Sequence, residues 1–111
     1  AIIVSTPQEV ALLDVKRGIK MFDKLGVKIL GLVDNMSFFI GDDGKKCKIF
    51  GEGGVKKTAE EFKKKFLGEI PINSLVGKAG DEGKPLVESN PEHEISKIYL
   101  GFANKIKSIY L

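Results

Sequence analysis

The chain has one cysteine, one histidine and one arginine, and no apolar run near the ~20 residues that span a bilayer. Each shortage excludes something. Cys47 alone rules out an internal disulfide framework and makes a reducing compartment, by default the cytoplasm, the expected setting. Cys47 and His93 are the only soft metal ligands, whereas a closed zinc or metal–sulfur centre takes about four. Cys47 is thus at most one ligand of a site shared across a dimer, and the simpler reading is a partly buried thiol, with His93 solvated. A single histidine also leaves no Ser-His-Asp set to assign. Of 18 basic residues only Arg17 is an arginine, so the guanidinium forks favoured for base and phosphate recognition are nearly missing. The net charge of +3 therefore implies no nucleic-acid partner, and no membrane partner is expected. Lys63-Lys64-Lys65 reads as a solvated helix end.

What is present is ordinary for a folded protein. At 111 residues, 42% hydrophobic and 30% charged, the chain is one domain and long enough to bury a core. There is no linker, low-complexity tract or internal repeat. The opening Ala1-Ile2-Ile3-Val4 lacks an initiating Met, a basic leader region and a small-residue cleavage site, so we expect no secretory signal and a chain cut from something longer.

Ile2-Ile3-Val4 is a β-branched run typical of a strand buried on both faces. Thr6 as N-cap, Pro7 at the first helical position and Glu9 as capping-box partner then predict a helix to about Lys24, stopped by Gly26. Val27 to Val33 reads as a second strand, which completes a βαβ unit with a parallel pair and a right-handed crossover. Phe38 to Ile40 and Cys47 to Phe50 flank the turn-rich Gly41-Asp42-Asp43-Gly44 as a hairpin. A helix over about 55–65 and a strand over 66–70, ending at Pro71, form the next repeat. Residues 73–83 predict a short helix and a glycine-punctuated loop, and 84–87 an extended segment. Asn90 and Pro91 cap a last helix whose Ile95, Ile98, Tyr99, Phe102, Ile106, Ile109 and Tyr110 recur at steps of three and four, an apolar face suited to pack on the sheet. The fold class is α/β: a partial doubly wound parallel sheet with helices on both faces, plus a short β-hairpin insertion.

Gly51-Glu52-Gly53-Gly54-Val55-Lys56-Lys57-Thr58 differs from the phosphate-cradling pattern GxxxxGK[ST] at one position, where Lys56 replaces the second glycine. That glycine lets backbone amides close around phosphates, and a Cβ there obstructs them. The segment reads as a glycine-rich entry to a helix, and no catalytic residue is assigned. A better candidate lies elsewhere. In open α/β sheets ligands bind beyond the carboxyl ends of the strands, and those ends bring Ser5 to Gln8, Asp34 to Met36 and Glu69 to Asn73 to one edge. The Asn35 amide donates and accepts at once, as the edge of adenine requires, and Pro71 with Ile72 offers an apolar wall for the ring. Asn35 as a plain turn residue is the competing reading.

Five ordered blocks, Ala1 to Asp14, Gly31 to Phe39, Ile49 to Gly54, Phe66 to Pro71 and Gly83 to Pro85, closely resemble the C-terminal part of the Mrp/ApbC family. That family comprises MinD-like P-loop ATPases that carry iron–sulfur clusters. The resemblance implies that residues 1–111 are the C-terminal half of a single P-loop ATPase domain, whose phosphate loop and switch aspartates belong to an N-terminal half. It implies ATP, with Mg²⁺, as the ligand of the parent protein, a homodimer, and iron–sulfur apoproteins as possible partners. Asn35 then matches the adenine-contacting asparagine, and Pro71 with Ile72 the loop covering the base. Many members carry a Cys-x-x-Cys pair after the Asn-Met-Ser block, through which a dimer bridges a cluster. Here the matching stretch, 41–47, has only Cys47. The alternatives are a MinD-like positioning or partition ATPase and a non-catalytic interaction module.

Overall fold

The computed structural model describes residues 1–111 and divides into two compact units, Ala1–Pro71 and Ile72–Leu111. In the first, β1 (Ile2–Ser5), β2 (Gly31–Asn35) and β5 (Phe66–Ile70) form a parallel sheet in the order β1-β2-β5, while β3 (Phe39–Ile40) and β4 (Lys46–Cys47) form a separate antiparallel hairpin. Helix α1 (Glu9–Leu25) crosses from β1 to β2, and α2 (Gly54–Glu61) precedes β5.

Ile3, Leu32 and Phe66 are register partners and so share one face of the sheet. On that face Leu32 and Ile29 pack with Val15 and Ile19 of α1 and with Val55 and Ala59 of α2. Leu32, Ile19 and Val55 are fully buried, and removing each side chain from water contributes about 1.5 to 3 kcal/mol. The core is therefore built by two helices and the central strand.

Local chemistry displaces several element boundaries from the sequence reading. Helix α1 starts at Glu9 behind Gln8, not behind Thr6; the Thr6 hydroxyl donates to Gln8 Oε1 at 2.9 Å, and Pro7 is buried beside Gly51. Its end matches the expectation. Gly26 is left-handed (φ 72°), and Val27 N–H donates to Phe22 O at 2.9 Å, a six-to-one closure. Val27 is thereby committed to the helix end, so β2 begins four residues later than its apolar run, where β1 offers partners. Helix α2 stops at Glu61 because Lys63 turns left-handed (φ 56°) and Lys64 N–H closes back on Ala59 O; the Lys64 ammonium then pairs with Asp23 at 2.8 Å.

In the second unit, Asn73 caps α3 (Ser74–Asp81) by accepting from Leu75 N–H. The segment expected to be extended instead forms the short helix α4 (Leu86–Ser89). Helix α5 (Glu94–Tyr110) starts behind His93 and not behind Asn90: His93 Nδ1 accepts from Ile95 N–H at 3.1 Å, so the histidine is a cap and not merely solvated. The Ser96 hydroxyl lies within hydrogen-bond distance of Asn90 O and Leu86 O, joining α5 to the α4 turn.

Candidate nucleotide edge

The parallel register brings the three strand ends level. Ser5 pairs with Asp34 and Asp34 with Glu69, while Asn35 pairs with Ile70. Asn35, half-buried, thus stands beside the residue that precedes Pro71, also half-buried. Beyond Asn35 the chain turns through Met36, whose φ of 52° is left-handed, and Ser37 N–H donates to Ile70 O at 3.0 Å. The turn carrying Asn35 is therefore fastened to the strand end that leads into Pro71. Ile72 belongs to the second unit.

Asp34, which the sequence places at this edge without a role, is the residue that stands out there. It is 1% exposed, Oδ2 accepts from Ser37 Oγ at 3.2 Å, and Oδ1 has no partner. Burial pushes its carboxyl above the usual carboxylate range; the Ser37 hydrogen bond opposes this, Glu69 adds to it and Lys48 opposes it. The available signal was an acidic residue at the end of an otherwise apolar strand, directly before Asn35. Lys48 pairs with Glu69 at 3.6 Å, and its ammonium lies 5.2 Å from the centre of the buried Phe38 ring.

The other candidates fall elsewhere. Cys47 is exposed on β4, opposite Phe39, and not partly buried as expected. No three His, Cys, Asp or Glu side chains gather into a set able to hold a metal ion, so the donor set of one chain does not fit a cluster. In the near-match to a phosphate loop, Gly53 (φ 72°) caps α2, and Thr58 lies inside that helix, buried, with its hydroxyl donated to Gly54 O at 2.8 Å. That hydroxyl is committed to the helix backbone and not directed to a metal–phosphate complex. No helix is long and apolar enough to cross a membrane.

A family model described as ParA, NUBPL iron-transfer P-loop NTPase, matches residues 1–107. An iron–sulfur cluster carrier protein of Aquifex aeolicus is 40% identical over 110 residues, covering 98% of this chain and 30% of that protein. An Arabidopsis thaliana protein, named as an iron–sulfur protein required for NADH dehydrogenase and mitochondrial, is 47% identical over 107 residues, covering 96% of this chain and 34% of that one. The chain thus spans about a third of the length of these relatives. Among solved structures, a nucleotide-binding protein of Archaeoglobus fulgidus in complex with ADP is 38% identical, with a TM-score of 0.64 over 76% of this chain and 35% of its own. The fold alone is shared with the cell-division ATPase MinD of Pyrococcus furiosus, 23% identical, with a TM-score of 0.73 over 98% of this chain and 42% of that one.

Proposed function

Because the chain belongs to the NUBPL iron-transfer family of ParA-type P-loop NTPases, we propose that it supplies the adenine contacts and part of the dimer surface of an ATP-binding iron–sulfur cluster carrier. The observation that carries this reading is the level register of Asn35 and Ile70, which sets the half-buried amide beside the approach to Pro71. Asn35 reads the purine edge by donating and accepting, and Pro71 covers the ring.

ATP is the nucleotide of this reading. The phosphate-cradling amides, the Mg²⁺ ligands and the hydrolytic step are assigned to the segment that precedes these residues in a parent protein. The cluster is cargo. A homodimer presents two Cys47 thiolates and passes its cluster to iron–sulfur apoproteins only if further ligands complete the site. A reducing compartment, the cytoplasm in the simplest case, fits an exposed free thiol.

The test is Asn35→Ala in the intact ATPase. ATP binding should weaken by about 1 to 3 kcal/mol, the cost of leaving a polar edge unpaired. Unchanged ATP and GTP affinities would remove Asn35 from the site.

A further inference from the structure

Asp34 and Glu69 occupy paired positions on β2 and β5, so two carboxyl groups stand on the same sheet face at adjacent strands. Like charges placed this way repel. The cation that pairs with Glu69 is Lys48, which enters just after β4 on the return arm of the hairpin. Its side chain is about a quarter exposed, set between the Glu69 carboxylate and the Phe38 ring. On its other side Asp34 holds Ser37, the residue that closes the Asn35-Met36 turn. A left-handed Met36 is strained by about 1 kcal/mol or more and persists only where its neighbours over-determine it. Two bonds do so here, Ser37 Oγ to Asp34 and Ser37 N–H to Ile70 O.

We propose that Asp34 is the positioning residue of the nucleotide edge: through Ser37 it fixes the turn that presents Asn35, while the Glu69–Lys48 pair on the neighbouring strand end ties the edge to the hairpin carrying Cys47. This rests on the reading of the edge as adenine-contacting. Asp34 touches no base. A carboxamide in its place keeps an acceptor for Ser37, whereas alanine leaves the turn held at one point only. The hairpin follows the state of the edge because Lys48, on its return arm, pairs with Glu69 at the end of β5.

The experiment uses the intact ATPase and measures ATP and GTP affinities, together with the rate at which a thiol reagent labels Cys47 with and without ATP. Asp34→Ala should shrink the preference for ATP over GTP about tenfold, and Asp34→Asn should restore it to within about twofold of the parent. Ser37→Ala removes the same hydrogen bond without touching the carboxyl and should reproduce the Asp34→Ala loss, which keeps the test usable if that variant folds poorly. Lys48→Met should leave ATP affinity in place but abolish the effect of ATP on Cys47 labelling. An unchanged base preference in Asp34→Ala or Ser37→Ala, or a nucleotide effect on Cys47 that survives Lys48→Met, overturns the proposal while the nucleotide edge stands. A parent protein that binds ATP and GTP equally, or neither, overturns the edge reading and this proposal with it.

Discussion

Gly31, the first residue of β2, lies so close to Leu67 of β5 that a Cβ built on it would stand 2.5 Å from Leu67 Cγ and 2.9 Å from both of its methyl carbons. Leu67 is 2% exposed and has nowhere to withdraw. Gly31→Ala should therefore destabilise the fold by about 1 to 3 kcal/mol, the usual cost of overpacking. Denaturant midpoints measure it. Truncation to Leu67→Ala in the same background should recover part of the loss, so that the two substitutions are less than additive. Strict additivity would place the strain elsewhere.

Stability should depend on pH through Asp34. Burial raises its carboxyl pKa in the fold, so the folded state holds the proton more tightly than the unfolded chain does. The stability linked to the neutral form is complete below the unfolded value of about 4 and is lost as pH rises through the folded value. Asp34→Asn cannot ionise and escapes that loss, so its stability relative to the parent should climb from pH 4 upward. Urea unfolding at a series of pH values checks this, and a difference that stays flat from pH 4 to 8 would mean that the Asp34 carboxyl holds its proton no more tightly in the fold than in the unfolded chain.

The 111 residues alone should release no phosphate from ATP, since hydrolysis needs cradling amides, a lysine and a Mg²⁺ ligand together. Thr58 is tied to Gly54 O inside α2, and the Gly51 to Thr58 segment carries a lysine where the second glycine belongs. Steady-state phosphate release is the assay. Turnover that disappears with Lys57→Ala would mean that this segment is a working phosphate loop.

Anaerobic reconstitution of the intact protein with iron and sulfide should give no stable four-thiolate cluster. A two-fold dimer brings two copies of Cys47, leaving two positions open, while Asp42 and Asp43 are hard donors ill-suited to iron–sulfide chemistry. Absorbance in the thiolate-to-iron region and iron counting report the outcome. A stable cluster that vanishes with Cys47→Ser would restore a full carrier role.

Strand 66–70 was legible to the residue because Pro71 marks its end, and the Gly26 stop of α1 was legible because a left-handed helix end favours glycine. The ends of α2 and α5 were not. Lys63 takes a left-handed conformation that its residue type does not favour, and His93 caps a helix in place of the better-suited Asn90. At the end of α2 the local closure Lys64 N–H to Ala59 O is held by the Lys64–Asp23 pair, a contact between residues far apart in the chain.

The candidate site divides in the same way. That Asn35 and Pro71 come to one edge could be read in sequence, because strand ends of an α/β repeat must arrive together. Ordered blocks of residues likewise marked the family, since they record whole segments and not single contacts. Asp34, its bond to Ser37, the Lys48–Glu69 pair and the exposure of Cys47 were decided only by tertiary structure. Burial and charge pairing depend on which strands become neighbours and in what register, and a carboxyl group in a linear sequence looks the same whether water or another strand will lie beside it.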